Sequence, residues 1–166
     1  ASDPAASWRG VMLVMGDAVL AARDARKSAT SAIDAFRSFP RGPLARVTPS
    51  SLDWFGPPHR LGASARYPLP ESLPRVAILT AGAGMDEQPV AALLGIGAKG
   101  IVLAGMGQGN APASVIAALA EAATAGVPVV RSTRVDEGIV DRNVEVDDDT
   151  LGLVCLLYTS PSPRDR

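Results

Sequence analysis

Residues 105–110 read Gly-Met-Gly-Gln-Gly-Asn, a loop in which three glycines alternate with side chains, two of them amides that donate and accept hydrogen bonds. Two chemistries suit that pattern. Backbone N–H groups exposed by glycine can cradle a phosphate, although the spacing is not GxGxxG and no later acid is placed for a ribose. Alternatively, the bends carry Gln108 and Asn110 to a small ligand. Asn110 has a third reading, as the plain cap of a following helix with Pro112 in its first turn. Other reactive side chains stand in isolation. Lys27, at the end of Arg23-Asp24-Ala25-Arg26-Lys27, reads as a solvated lysine, and Glu145, ahead of Asp147-Asp148-Asp149, as a solvated acid. His59 has no cysteine or second histidine near it and makes neither a metal ligand nor a base. Cys155 is the single thiol, which excludes a disulfide framework within the chain.

The loop must be positioned by what flanks it. An apolar run at 101–104 precedes it, an amphipathic stretch over 112–125 follows, and a second apolar run covers 127–130. Strand, loop, helix, strand is a βαβ unit with a parallel sheet, and in such sheets ligands bind at the carboxyl ends of strands. Upstream, residues 75–80 (RVAILT) predict another strand of that sheet, and 86–96 a helix with Asp86 as its cap. The expected strands are therefore 75–80, 100–104 and 127–131, all parallel, with helices at 86–96 and 112–125. Val115, Ile116, Leu119, Ala122 and Ala123 recur at helical spacing and make a core face. Asp147 or Asp148 would cap a further helix entered at 150–153.

The first third of the chain is different in kind. Residues 11–15 (VMLVM) predict a buried strand whose partners the chain does not obviously supply. Residues 44–47 and 52–55 predict two short extended pieces around the turn Thr48-Pro49-Ser50. Residues 56–74 are proline-rich and aperiodic, as an interdomain linker would be.

Composition limits the function. The chain has 166 residues, 47% hydrophobic and 20% charged, which fits a globular fold. Aromatics are only 4%, so the core must be built from Ala, Val, Leu and Ile. A net charge of −1 with dispersed signs leaves no basic footprint for nucleic acid and no polybasic patch for a membrane. No apolar run reaches the ~18 residues of a spanning helix.

Several of these blocks together resemble the bacterial-type asparaginase/glutaminase family. GIVLAGMGQGN (100–110) followed by GVPVVRSTR (126–134) is similar to the family's C-terminal domain, with Gln108 in place of the first Asn of its loop and Asn110 retained. Val14-Met15-Gly16-Asp17, Arg23-Asp24-Ala25-Arg26-Lys27-Ser28, and Phe36 with Ser38, Gly42, Pro43 and Leu44 are similar to the segment that ends its N-terminal domain. Gly16 for Asn and Ser28 for Thr depart from that pattern. The resemblance implies an α/β fold: residues 1–55 as the end of an asparaginase N-terminal domain, 56–74 as linker, and 75–154 as a small flavodoxin-like three-layer α/β domain. It implies L-asparagine amidohydrolase chemistry, the hydrolysis of a side-chain amide to aspartate and ammonia through a threonine nucleophile, with L-glutamine as a further candidate substrate and with no metal or cofactor. Lys27 then becomes the basic member of a Thr–Lys–Asp triad, while Asn110 and Glu145 bind the substrate's ammonium end in a neighbouring subunit's site. A homotetramer, built as a dimer of dimers, and a bacterial cytoplasmic or periplasmic location follow from the same resemblance.

Residues 155–166 (CLLYTSPSPRDR) break from the family pattern and resemble adapter- or vector-derived sequence; they are expected not to pack. The triad's Thr and Asp are expected to precede Ala1, which would leave the chain inactive alone. Two other functions compete: a flavodoxin-like module that binds a nucleotide or small molecule on the 105–110 loop, and an amidotransferase-subunit relative of the asparaginases.

Overall fold

A computed structural model describes residues 3–58, 68–135 and 139–155. The chain divides into two units, residues 1–69 and 70–166. His59 and residues 60–67 of the expected linker lie outside the described residues.

The first unit is antiparallel. After a single 3-10 turn at Pro4–Ala6, strand β1 (Met12–Met15) pairs with β2 (Ala18–Ala21) in a hairpin that closes on Met15 opposite Ala18. The expectation that this apolar run lacks a local partner is therefore corrected. Gly16, at φ +58°, opens a two-residue turn of the kind whose twist suits a hairpin, and the next four residues form the partner. Strand β3 (Ala25–Lys27) pairs with β4 (Phe36–Ser38) in a separate ribbon, Lys27 opposite Phe36. Strands β5 (Ala45–Val47) and β6 (Leu52–Trp54) extend the first sheet to the order β1-β2-β5-β6. The turn between β5 and β6 is the expected one, held by Thr48 N–H donating to the Ser51 carbonyl at 2.8 Å. Val19, Leu20, Ala21 and Ala45 are buried, and Asp24, also buried, takes the Arg41 guanidinium at 2.8 Å.

The second unit is a parallel sheet. Strands β7 (Val76–Thr80), β8 (Gly100–Gly105), β9 (Val129–Thr133) and β10 (Val154–Cys155) lie in the order β10-β9-β8-β7. Helix α1 (Gln88–Gly95) joins β7 to β8, and α2 (Ala113–Thr124) joins β8 to β9. Asp86 accepts from the Gln88 N–H at 3.1 Å at the start of α1. Leu79, Ile101, Leu103 and Val129 on one sheet face pack with Val90, Val115 and Leu119 of the helices. On the other face Ile78, Val102, Val130 and Val154 stand in register across all four strands.

Several boundaries differ from expectation, among them the start of α1 at Gln88 and the end of β9 at Thr133. Strand β9 begins at Val129 rather than 127, because Gly126 (φ +88°) turns the chain and Val127 N–H bonds back to Ala122. Pro128 then has no N–H for the ladder. Residues 150–153 do not enter a helix. Asp147 caps a single turn by accepting from the backbone N–H and hydroxyl of Thr150, at 3.1 and 2.7 Å, and Gly152 (φ +66°) ends it. The chain leaves that turn as β10. Cys155, which the sequence assigns to a non-packing tail, is buried in that strand, its Sγ donating to the Val140 carbonyl at 2.9 Å. The apolar pair Leu153 and Cys155 is what the sheet edge takes up; the rest of the tail lies outside the described residues. Among the described residues no helix is long and apolar enough to cross a membrane.

Candidate functional site

The loop after β8 folds back on itself. Met106 and Asn110 exchange two backbone hydrogen bonds, each 2.7 Å, so the five residues between them and including them form a closed turn. Glycine is what permits this. A Cβ on Gly105 would lie 2.3–2.6 Å from the backbone of Gly109, and Gly107 and Gly109 take φ of +49° and +79°. Gly105→Ala should therefore open the turn and cost about 1–3 kcal/mol of stability, the range for forcing an extra carbon into a packed site. A urea titration of the variant measures this; an unchanged midpoint would show that the loop relaxes freely. With Met106 and Asn110 bonding each other, two of the N–H groups a phosphate cradle would need are already engaged.

The cap reading of Asn110 is also corrected. Helix α2 has Pro112 at its cap position and no side-chain cap bond. Asn110 Oδ1 instead accepts from the adjacent Ala111 N–H, and its Nδ2 donates to Glu145 Oε2 at 3.3 Å. Two residues that the sequence singles out, 35 positions apart, thus meet at the carboxyl end of the parallel sheet. Glu145 is exposed and Asn110 half-buried, so a cation can approach the pair from solvent.

A residue pair that sequence reasoning missed organises this end of the sheet. Arg131 lies on the helix-covered face of β9 and, with Asp148, is fully buried. Its Nε and Nη2 donate to the two Asp148 oxygens, each at 2.6 Å, a bidentate fork. The remaining donors reach backbone: Nη1 to the Gln108 carbonyl, Nη2 to the Asp141 carbonyl at 3.0 Å. Asp148 Oδ2 also accepts from the Asn143 N–H at 3.1 Å. The hydrogen bond to Asp148 raises the guanidinium pKa above its ordinary value, against the opposing effect of burial. The sequence signal was an arginine in the core-facing register of an apolar strand, two residues after Val129, with a run of acids downstream to pair it.

Neighbouring contacts complete the frame. Thr133 Oγ1 donates to the Gly107 carbonyl at 2.6 Å, and Arg134 Nη1 to the Ala81 carbonyl at 2.9 Å, joining the loops after β7, β8 and β9. The stretch from Val140 to Val146 is anchored on either side of Glu145 by those two valines, both buried. Asp149 is held below the usual carboxylate range by hydrogen bonds from Arg142 and Asn143. Lys27 belongs to the first unit, where it is exposed at the end of β3 and its ammonium is engaged by no hydrogen bond or ion pair among the described residues.

Comparison with known proteins gives two family matches: residues 75–162 to the glutaminase/asparaginase C-terminal domain, and residues 1–60 to the N-terminal asparaginase domain. The chain is 39% identical, over 93% of its length, to a probable periplasmic L-asparaginase of Haemophilus influenzae, and 35% identical over 90% to a glutaminase-asparaginase of Pseudomonas aeruginosa. It is also 34% identical, over 72% of its length, to one subunit of the glutamyl-tRNA(Gln) amidotransferase of Methanothermobacter thermautotrophicus. The chain spans 45%, 42% and 28% of those three relatives, respectively.

Proposed function

Since the chain belongs to the glutaminase/asparaginase family, we propose that it serves an amidohydrolase that converts L-asparagine, and L-glutamine as a second substrate, to the free acid and ammonia. The observation that carries this reading is the Asn110–Glu145 pair, an amide and a carboxylate held 3.3 Å apart on the solvent side of the sheet's carboxyl end. A free carboxylate oxygen there accepts a charge-assisted hydrogen bond from a substrate ammonium. Lys27 takes the proton of a threonine hydroxyl as that oxygen attacks the amide carbon. Lys27 returns that proton to the amide nitrogen, the C–N bond breaks and ammonia leaves, and water then hydrolyses the acyl ester to the free acid and restores the threonine hydroxyl. In this reading the pair completes the site of a neighbouring subunit in a homo-oligomer.

The test is a chimera in which the H. influenzae relative supplies the remaining length. Wild-type chimera should release ammonia from asparagine. Glu145→Ala should raise KM about 10- to 100-fold, the worth of one hydrogen bond to a charged group. Its kcat should stay within a few-fold, because the ammonium contact is made in ground and transition states alike. An unchanged KM would remove Glu145 from the substrate site.

The similarity to an amidotransferase subunit favours one second reading, in which ammonia passes to an acceptor. It predicts that the chimera's amide hydrolysis accelerates when the acceptor is present.

A further inference from the structure

Gln108 stands where the family pattern has asparagine, and its side chain does not face the Asn110–Glu145 pair. Its Oε1 accepts from the Asp141 backbone N–H at 2.9 Å, and its Nε2 lies 3.5 Å from Asp141 Oδ2. Both ends of this contact are already held by one buried group, since Arg131 donates to the Gln108 and Asp141 carbonyls. The three residues form a closed ring of hydrogen bonds between two stretches that also meet at the Asn110–Glu145 bond. One stretch, the 105–110 turn, carries Asn110. The other, running from Val140 to Val146, carries Glu145.

We propose that Gln108 is a positioning residue: its side chain latches the glycine turn to Asp141 and thereby sets the separation of Asn110 and Glu145. Length is the reason a glutamine does this. The Asp141 N–H lies within reach of a side chain one methylene longer than asparagine, while the backbone of residue 108 is fixed by Arg131 and by the φ +79° bend at Gly109. Shortening the side chain leaves Arg131, which grips carbonyls, and the single 3.3 Å Asn110–Glu145 bond to join the two stretches, with the Asp141 N–H unpaired.

The proposal rests on the amidohydrolase reading for its kinetic consequence only, and the experiment separates the two. In the 166-residue chain, the Asn110 side-chain NH2 resonances are compared before and after Glu145→Ala, in the wild-type background and in Gln108→Ala. In wild type the substitution should move them. In Gln108→Ala the same substitution should move them several-fold less, with the backbone resonances of β7, β8 and β9 unchanged. The reciprocal swap Gln108→Glu with Asp141→Asn keeps an acceptor for the Asp141 N–H and reverses the side-chain pair, and it should restore the response. In the chimera, Gln108→Ala should raise KM about 3- to 10-fold with kcat little changed, as expected for one neutral hydrogen bond acting through binding. An equal Asn110 response in both backgrounds, or a swap that fails to restore it, overturns the latch whatever the enzyme assay shows. A chimera that hydrolyses no amide overturns the amidohydrolase reading and leaves the resonance result to decide the latch.

Discussion

Lys27→Met in the chimera should lower kcat by about 100- to 10,000-fold, the contribution of a positioned general base, while KM changes little. A threonine hydroxyl is a poor nucleophile at neutral pH, so a base must take its proton as the bond to the amide carbon forms. That demand exists only in the transition state, which places the loss in kcat. Lys27→Arg should be nearly as inactive: the charge is kept, but a guanidinium does not give up a proton in a protein. The described residues hold no hydroxyl bonded to Lys27. Thr133 and Thr124 donate to carbonyls of their own unit, Thr150 donates to Asp147, and Thr48 is engaged within its turn. The 166-residue chain assayed without its chimeric partner should accordingly release no ammonia. An arginine variant with wild-type kcat would remove proton transfer from the role of Lys27.

What the sequence made legible follows from how local each cause is. Strands β7 and β8 (VAILT and GIVLAG) are near-continuous apolar runs, and β9 opens on one at Val129-Val130 behind Pro128, the pattern of a parallel sheet packed under helices. The β1–β2 hairpin was half legible: Gly16-Asp17 is a turn signal, but the alanine-flanked Ala18–Ala21 lacks the β-branched density that marks a strand. Its place comes from burial of Val19 and Leu20 beside β5, a tertiary cause. The expected helix at 150–153 failed because an Asp cap and a helical first turn are shared by helices and isolated turns, and only Gly152 distinguishes them. Asn110 and Glu145 were each blander when read alone, as a cap and a solvated acid. Family resemblance, not spacing, singled them out together, and the fold supplies their meeting. The partnership of Arg131 with Asp148 spans 17 residues and had no local signature beyond a charge in the wrong register.

That partnership should dominate the stability of the second unit. Arg131→Leu leaves the Asp148 carboxylate buried without its counter-charge and the Gln108 and Asp141 carbonyls without donors. Removing one partner of a buried pair costs about 3–5 kcal/mol. The measurement is native-state hydrogen exchange at the β8 amides, which reports opening of this unit by itself. Because the Arg131 pKa is raised in the fold, its contribution is fully present below the ordinary arginine value and is lost only as pH climbs through the higher folded one. The loss should therefore be the same at neutral and mildly alkaline pH. Arg131→Leu combined with Asp148→Leu removes both charges, and desolvation no longer opposes folding, so most of the stability should return. The glycine turn should not return with it, since leucine offers the Gln108 carbonyl no donor. Stability and substrate affinity should thus separate in the double variant: exchange protection near wild type, KM in the chimera still raised. Arg131→Leu with wild-type protection at β8 would show that the fork contributes nothing net, and that the packing of Leu103, Val115 and Leu119 carries the unit alone.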